Sequence, residues 1–145
     1  MSYATLQQLT DRYGETMLVD LTDRGTVATG SIDTDVVDRA LADTDAVINA
    51  RIAARYDLAS VAAAVPEVLV DIALCIAIWK LHRYEANPKI KDDYTEAMRQ
   101  LREIGDGTMR LPIEAGGEPE GTGETGARVT DRERPFTEET MKGWI

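Results

Sequence analysis

The chain has 145 residues and a mass of 15.9 kDa, enough for one domain with a buried core. Its 26 acidic and 16 basic residues leave a formal net charge of -10, which argues against wrapping nucleic acid or coating an anionic membrane, since both reward positive charge. With 43% apolar residues the chain is not disordered throughout, and a single Cys75 and a single His82 exclude an intrachain disulfide framework, a cysteine zinc cluster and a two-histidine site within one subunit.

Thr5 is a fair N-cap, and Leu6, Leu9 and Tyr13 share one face, so a first helix is predicted from Thr5 to a break at Gly14. A short helical piece over Glu15 to Leu21 follows, with Met17, Leu18 and Leu21 on its apolar side. Asp23-Arg24-Gly25 and Thr29-Gly30 mark a loop. Asp33 or Thr34 caps the next helix, in which Val37, Ala40, Leu41, Val47, Ile48 and Ile52 recur at three- and four-residue intervals. The opposite face carries Asp35, Asp38, Arg39, Asp43, Asp45 and Arg51. Continued to Tyr56, this amphipathic helix has about 22 residues and spans about 33 Å.

Asp57 to Val65 reads as a connector with an Ala-rich turn. Pro66 suits the first position of a helix predicted to run to about Ala86 and to end at Asn87-Pro88. Apolar residues cover most of its girth from Val68 to Trp79, which makes it the central helix. That stretch is about half the ~20 residues a membrane span needs, and Asp71 interrupts it. The start of the chain, Met1 to Asp11, has no basic segment followed by an apolar run, so no secretory signal is expected there. A last helix is predicted over about 89 to 104, with Ile90, Tyr94, Ala97, Met98, Leu101 and Ile104 in one stripe and Gly105 as its left-handed stop. Thr108 to Leu111 alternates loosely, as a short strand does.

The predicted fold is all-α: a small helical bundle around a central apolar helix, with an extended C-terminal arm. Residues 1–111 form the helical body. Residues 112–126 are rich in Gly, Glu and Thr, too poor in apolar side chains to offset the entropy of ordering, and read as a flexible linker. Residues 127–145 regain aromatic and apolar groups in Phe136, Met141, Trp144 and Ile145. Those side chains dock on another subunit or partner, fold back on the chain's own helices, or keep no fixed position; partner docking is the expected outcome.

Chemistry-bearing candidates are few. His82 and Glu85, three residues apart on the central helix, are too few to form a metal site. Asp20, Asp23 and Gly25 lack the alternating ligands of a calcium loop and read as a capped turn. Asp71, on an apolar helix, is expected to pair with Arg51 or Arg55 or to face a subunit contact, and not to act as an acid. Cys75 is expected to be an inert core thiol. Ser31 and Ser60 lack a nucleophile's context, and no phosphate-binding loop or dinucleotide fingerprint is present. Lys80, Arg83, Lys89 and Lys91 form the densest basic group, at the hinge between the last two helices. No catalytic residue, metal or cofactor is expected. Arg51, Arg55, Asp71 and Arg83 are the candidate subunit contacts, and Phe136, Met141, Trp144 and Ile145 the candidate partner-binding residues.

The order of short motifs resembles a known family. Tyr3-Ala4-Thr5, Leu9 and Arg12-Tyr13-Gly14-Glu15 come first, then Leu18, Leu21-Thr22-Asp23 and Ile32-Asp33. Ala40-Leu41-Ala42-Asp43, Asp45 to Asn49 and Ala54-Arg55-Tyr56 follow, then Pro66, Leu69, Asp71-Ile72-Ala73, and Tyr94 through Ala97 and Leu101 to Gly107. Over residues 3–111 this resembles the small head-to-tail connector proteins of tailed phages and prophages, especially the Mu-like group. The chain departs from that pattern after Arg55-Tyr56, where Asp57-Leu58 and an Ala-rich link to Pro66 replace a short Pro-Leu connector. The resemblance implies a non-enzymatic adaptor: a helical bundle forming a ring, commonly of twelve copies, beneath the portal protein. Such a ring extends the DNA channel and docks the next neck or tail completion protein. It also implies a place at the virion neck, with assembly in the host cytoplasm, no membrane, and DNA passing without sequence-specific binding. An acidic helical regulatory domain, such as an inhibitor of a DNA-binding protein, is the alternative.

Overall fold

The computed structural model describes residues 2–113 and shows six helices. They are α1 (Leu6–Tyr13), α2 (Glu15–Thr22), α3 (Thr34–Ile52), α4 (Leu58–Ala63), α5 (Glu67–Leu81) and α6 (Pro88–Asp106). No strand occurs among the described residues, so the all-α bundle stands and the expected strand at Thr108 to Leu111 does not form. Met109 N instead donates to the Glu103 carbonyl, folding this segment back on the last turn of α6.

Local chemistry accounts for where the helices start. Thr5 and Gln8 form a reciprocal capping box on α1, and Asp33, Asp57 and Asn87 each cap a helix through a side-chain oxygen. Each such cap contributes about 1 kcal/mol by satisfying an amide that would otherwise have no partner in the helix. Pro66 sits one residue outside α5, as its N-cap, and Pro88 takes the first turn of α6. α5 is the centre of the bundle: Leu69, Ile72, Ala73, Ile76, Ala77, Ile78 and Leu81 are sealed from solvent. It packs chiefly against α6 and α3, which also touch each other, while α1 and α2 lie across the same core. Trp79 and Tyr94 stack at 4.9 Å between centroids where α5 meets α6.

Three predicted boundaries are corrected. α3 stops at Ile52 instead of Tyr56, because Arg55 N and Tyr56 N both turn back to the Ile52 carbonyl. Tyr56 is then free to accept a hydrogen bond from Leu111 N at 3.2 Å, which pins the segment after α6. α5 ends at Leu81, well short of Ala86. Gly105 is not the stop of α6: it lies within the helix, where a Cβ would stand 2.9 Å from the Arg51 carbonyl oxygen, so it allows α6 and α3 to approach closely. Gly107, at φ +82°, supplies the left-handed cap.

Thr22 joins α2 to α3. Its buried hydroxyl donates to the Leu18 carbonyl at 2.7 Å and accepts from Asp33 N at 3.0 Å. Thr22→Val keeps the shape but strands the Asp33 amide. A loss of about 1–2 kcal/mol in unfolding free energy is expected from chemical denaturation.

Candidate functional site

The start of α3, the end of α5 and the start of α6 share one end of the bundle, and two loops meet there. Arg24, in the α2–α3 loop, donates from Nε to the Leu21 carbonyl at 2.9 Å and from Nη2 to the Leu81 carbonyl at 2.6 Å. It places a cation on the last turn of α5, where free carbonyls and the helix dipole favour one. Asp23 Oδ2 accepts from Thr29 N at 2.7 Å and Gly30 N at 2.9 Å, so this acidic run is the capped turn expected. The bonds from Gly30 and Thr29 hold the Asp23 carboxyl below its usual range.

Across from this loop, His82 is the C-cap of α5, in extended conformation, and its ring Nδ1 lies 2.8 Å from the Ile78 carbonyl. A carbonyl only accepts, so Nδ1 carries the proton. His82 and Glu85 therefore stand in the α5–α6 corner and not, as predicted, three apart on one helix. The two loops enclose an open cleft of about 370 Å³ lined by Asp20, Asp23, Arg24, His82, Arg83 and Glu85, with Leu21 and Tyr84. Tyr84 is 87% exposed and Val27 is 77% exposed; they are the large exposed apolar side chains among the described residues, one on each loop. Lys80, Arg83, Lys89 and Lys91 are exposed on the same α5–α6 corner, with Glu85 and Asp92.

A second, smaller cleft of about 90 Å³ lies between α1, α5 and α6. Arg12 pairs with Asp71 across its mouth. The expected partners of Asp71, Arg51 and Arg55, are corrected: Asp71 points outward with its side chain 57% exposed, within reach of α1. Arg12 Nη2 also lies 3.7 Å from Cys75 Sγ. Burial pushes the Cys75 thiol and the Tyr13 hydroxyl up, despite the nearby guanidinium, so Cys75 stays a protonated thiol and a poor nucleophile. Among the described residues no group of three or more His, Cys, Asp or Glu could hold a metal ion.

The other candidate residues are spread over the body. Arg51 is exposed on the last turn of α3. The Arg55 guanidinium packs over Gly107 and near the Tyr56 ring, at the opposite end of the bundle from Arg83. Phe136, Met141, Trp144 and Ile145 lie outside the described residues, as do residues 114–126 of the predicted linker. Sequence reasoning missed Val27, Tyr84, Arg24 and Tyr56. Tyr84 directly follows the basic Arg83 in a short corner between helices, which is the signal that could have singled it out. Part of the outer face of α6 pairs its own charges: Arg99 with Glu96 and Glu103, and Lys89 with Asp93 at 2.7 Å. The Arg99 bond, aided by Gln100, holds the Glu96 carboxyl down to about 2.

The family described as Bacteriophage Mu, Gp36 matches residues 3–130. The chain belongs to this Mu family. Gene product J of Escherichia phage Mu is 30% identical to it over 145 residues, the full length of both chains. The likeness to Mu thus covers the whole helical body and runs beyond residue 111, where the resemblance read from the motifs stopped. Two pairs of those motifs meet in space. Tyr3 bonds to Asp45 through its amide and to Asn49 through its hydroxyl, and Arg55-Tyr56 holds Gly107 and Leu111.

Proposed function

We propose that this chain is a non-enzymatic structural protein of a Mu-like phage particle. It acts as a head-to-tail connector that forms a ring beneath the portal, extends the DNA channel and docks the next neck or tail protein. The observation that carries this reading is the match to the Mu family over most of the chain, joined to the ordered motifs of residues 3–111. The geometry supports it. The body is held by a closed apolar core, and its exposed anchors, Tyr84 and Val27, stand on the two loops at one end of the bundle, where a partner can reach them. A net charge of -10 repels DNA and suits a channel that lets it slide. The acidic side chains of α3 and α6 are interleaved with Arg39, Arg51, Arg99 and Arg102, which is not the continuous anionic row that a mimic of the DNA backbone requires.

Co-expression of the full chain with the portal protein of its phage, followed by affinity capture, tests the reading. A stable complex is expected with portal rings. Portal that is recovered free of this chain at every salt concentration contradicts it.

A further inference from the structure

Two regions of the described surface carry net charge of opposite sign. Lys80, Arg83 and Lys91 are exposed at the corner between α5 and α6, beside Tyr84, and form no ion pair among the described residues. Asp35, Asp38 and Asp43 are exposed on α3 and likewise form no ion pair there. Helical spacing puts these three acids on one face of α3 with Ala42 and Ala46 between them; Arg39 shares that face, its Nε donating to the Asp35 carbonyl at 3.2 Å, so the face is net acidic by two charges. Lys89 and Arg99 of α6 differ, since each is paired within the helix. One copy therefore carries a corner of net positive charge, its three cations outnumbering Glu85 and Asp92, with a protruding aromatic ring, and on another element a face of net negative charge, its three acids outnumbering Arg39, with the small side chains of Ala42 and Ala46 among them.

We propose that the α5–α6 corner docks on the α3 face of a second copy of this chain, with Tyr84 against Ala42 and Ala46 and with Lys80, Arg83 and Lys91 facing Asp35, Asp38 and Asp43. Two different patches meet in such a contact, so it is head-to-tail: each copy keeps a free corner and a free face, and repetition closes a ring when the rotation permits. Opposite charges set the register and speed the encounter, while the tyrosine, with few torsions to freeze, supplies the apolar anchor. The inference rests on the ring reading above and adds the two faces that make the ring.

Native mass spectrometry and sedimentation of the full chain, over a range of protein and salt concentrations, test it. The wild type is expected to self-associate, and less so as salt rises. Lys80→Glu with Arg83→Glu, Asp38→Lys with Asp43→Lys, and Tyr84→Ala are each expected to weaken association ~tenfold or more. All three changes are at exposed positions, and circular dichroism is expected to show the wild-type helical signal. Mixing the two charge-reversed chains in equal amounts is expected to restore association, because each then offers what the other lacks. Variants that associate like the wild type, or a mixture that fails to recover, overturn the face assignment and leave the ring itself untouched. A wild type that stays monomeric throughout overturns the inference that copies hold one another, and portal capture then judges the ring separately.

Discussion

Ile76→Ala is expected to cost about 3–4 kcal/mol of unfolding free energy, the largest effect of any single truncation considered in this chain. Ile76 lies on α5, 1% exposed, within a run from Ile72 to Ile78 that is buried at every position. A side chain on an ordinary amphipathic helix can leave a gap that solvent or a surface neighbour relaxes into. α5 is enclosed by α3 and α6, and α1 also touches it, so the missing methyl groups leave a void with little freedom to collapse. Thermal unfolding is expected to shift down by roughly 10 °C for a domain of this size. A midpoint within a degree or two of wild type contradicts the placement of α5 at the centre.

Gly107→Ala is expected to cost about 2–3 kcal/mol, through two separate causes. At φ +82° an L side chain is strained, and a Cβ there meets the Arg55 guanidinium well inside contact distance. Arg55 must move, and with it goes a cation from the C-terminal end of α6, where the unpaired carbonyls favour one. Arg55→Ala in the same background separates the causes. It removes the collision but not the backbone strain, so the added cost of Gly107→Ala is expected to fall by about half, as a double-mutant cycle reads directly. Full additivity of the two substitutions contradicts the contact.

Most of the fold was legible in the sequence because the strongest signals are local. Thr5, Asp33, Asp57 and Asn87 cap helices at or next to the positions that the pattern predicts, and the apolar run from Val68 to Trp79 is the centre of the core. The misplaced boundaries depend on distant partners. Nothing near Leu81 shows that α5 must stop there; its carbonyl is satisfied by Arg24, 57 positions earlier. Gly105 and Gly107 look alike as helix stops, and only the approach of Arg51 assigns one to close packing and the other to the cap. Asp71 faces outward from an otherwise apolar stretch of α5, and Arg12 of α1 reaches it there.

The candidate site was less legible for the same reason. The basic group from Lys80 to Lys91 is plain in the sequence, but its weight as a surface comes from the helix ending early. A helix continued to Ala86 would have carried Arg83, Tyr84 and Glu85 along its flank. The stop at Leu81 turns them out as a corner, beside a loop fixed by Asp23 and Arg24. Arg51 and Arg55 looked equivalent by spacing, yet one is exposed on the last turn of α3 and the other is packed over Gly107.

Electron microscopy of heads purified from cells producing the phage is the most direct test of the connector reading. The expected result is a ring beneath the portal into which the helical body of residues 2–113 fits, with α3 of each copy against the α5–α6 corner of the next. Heads that carry portal and join complete tails with no density for this chain at the junction contradict it.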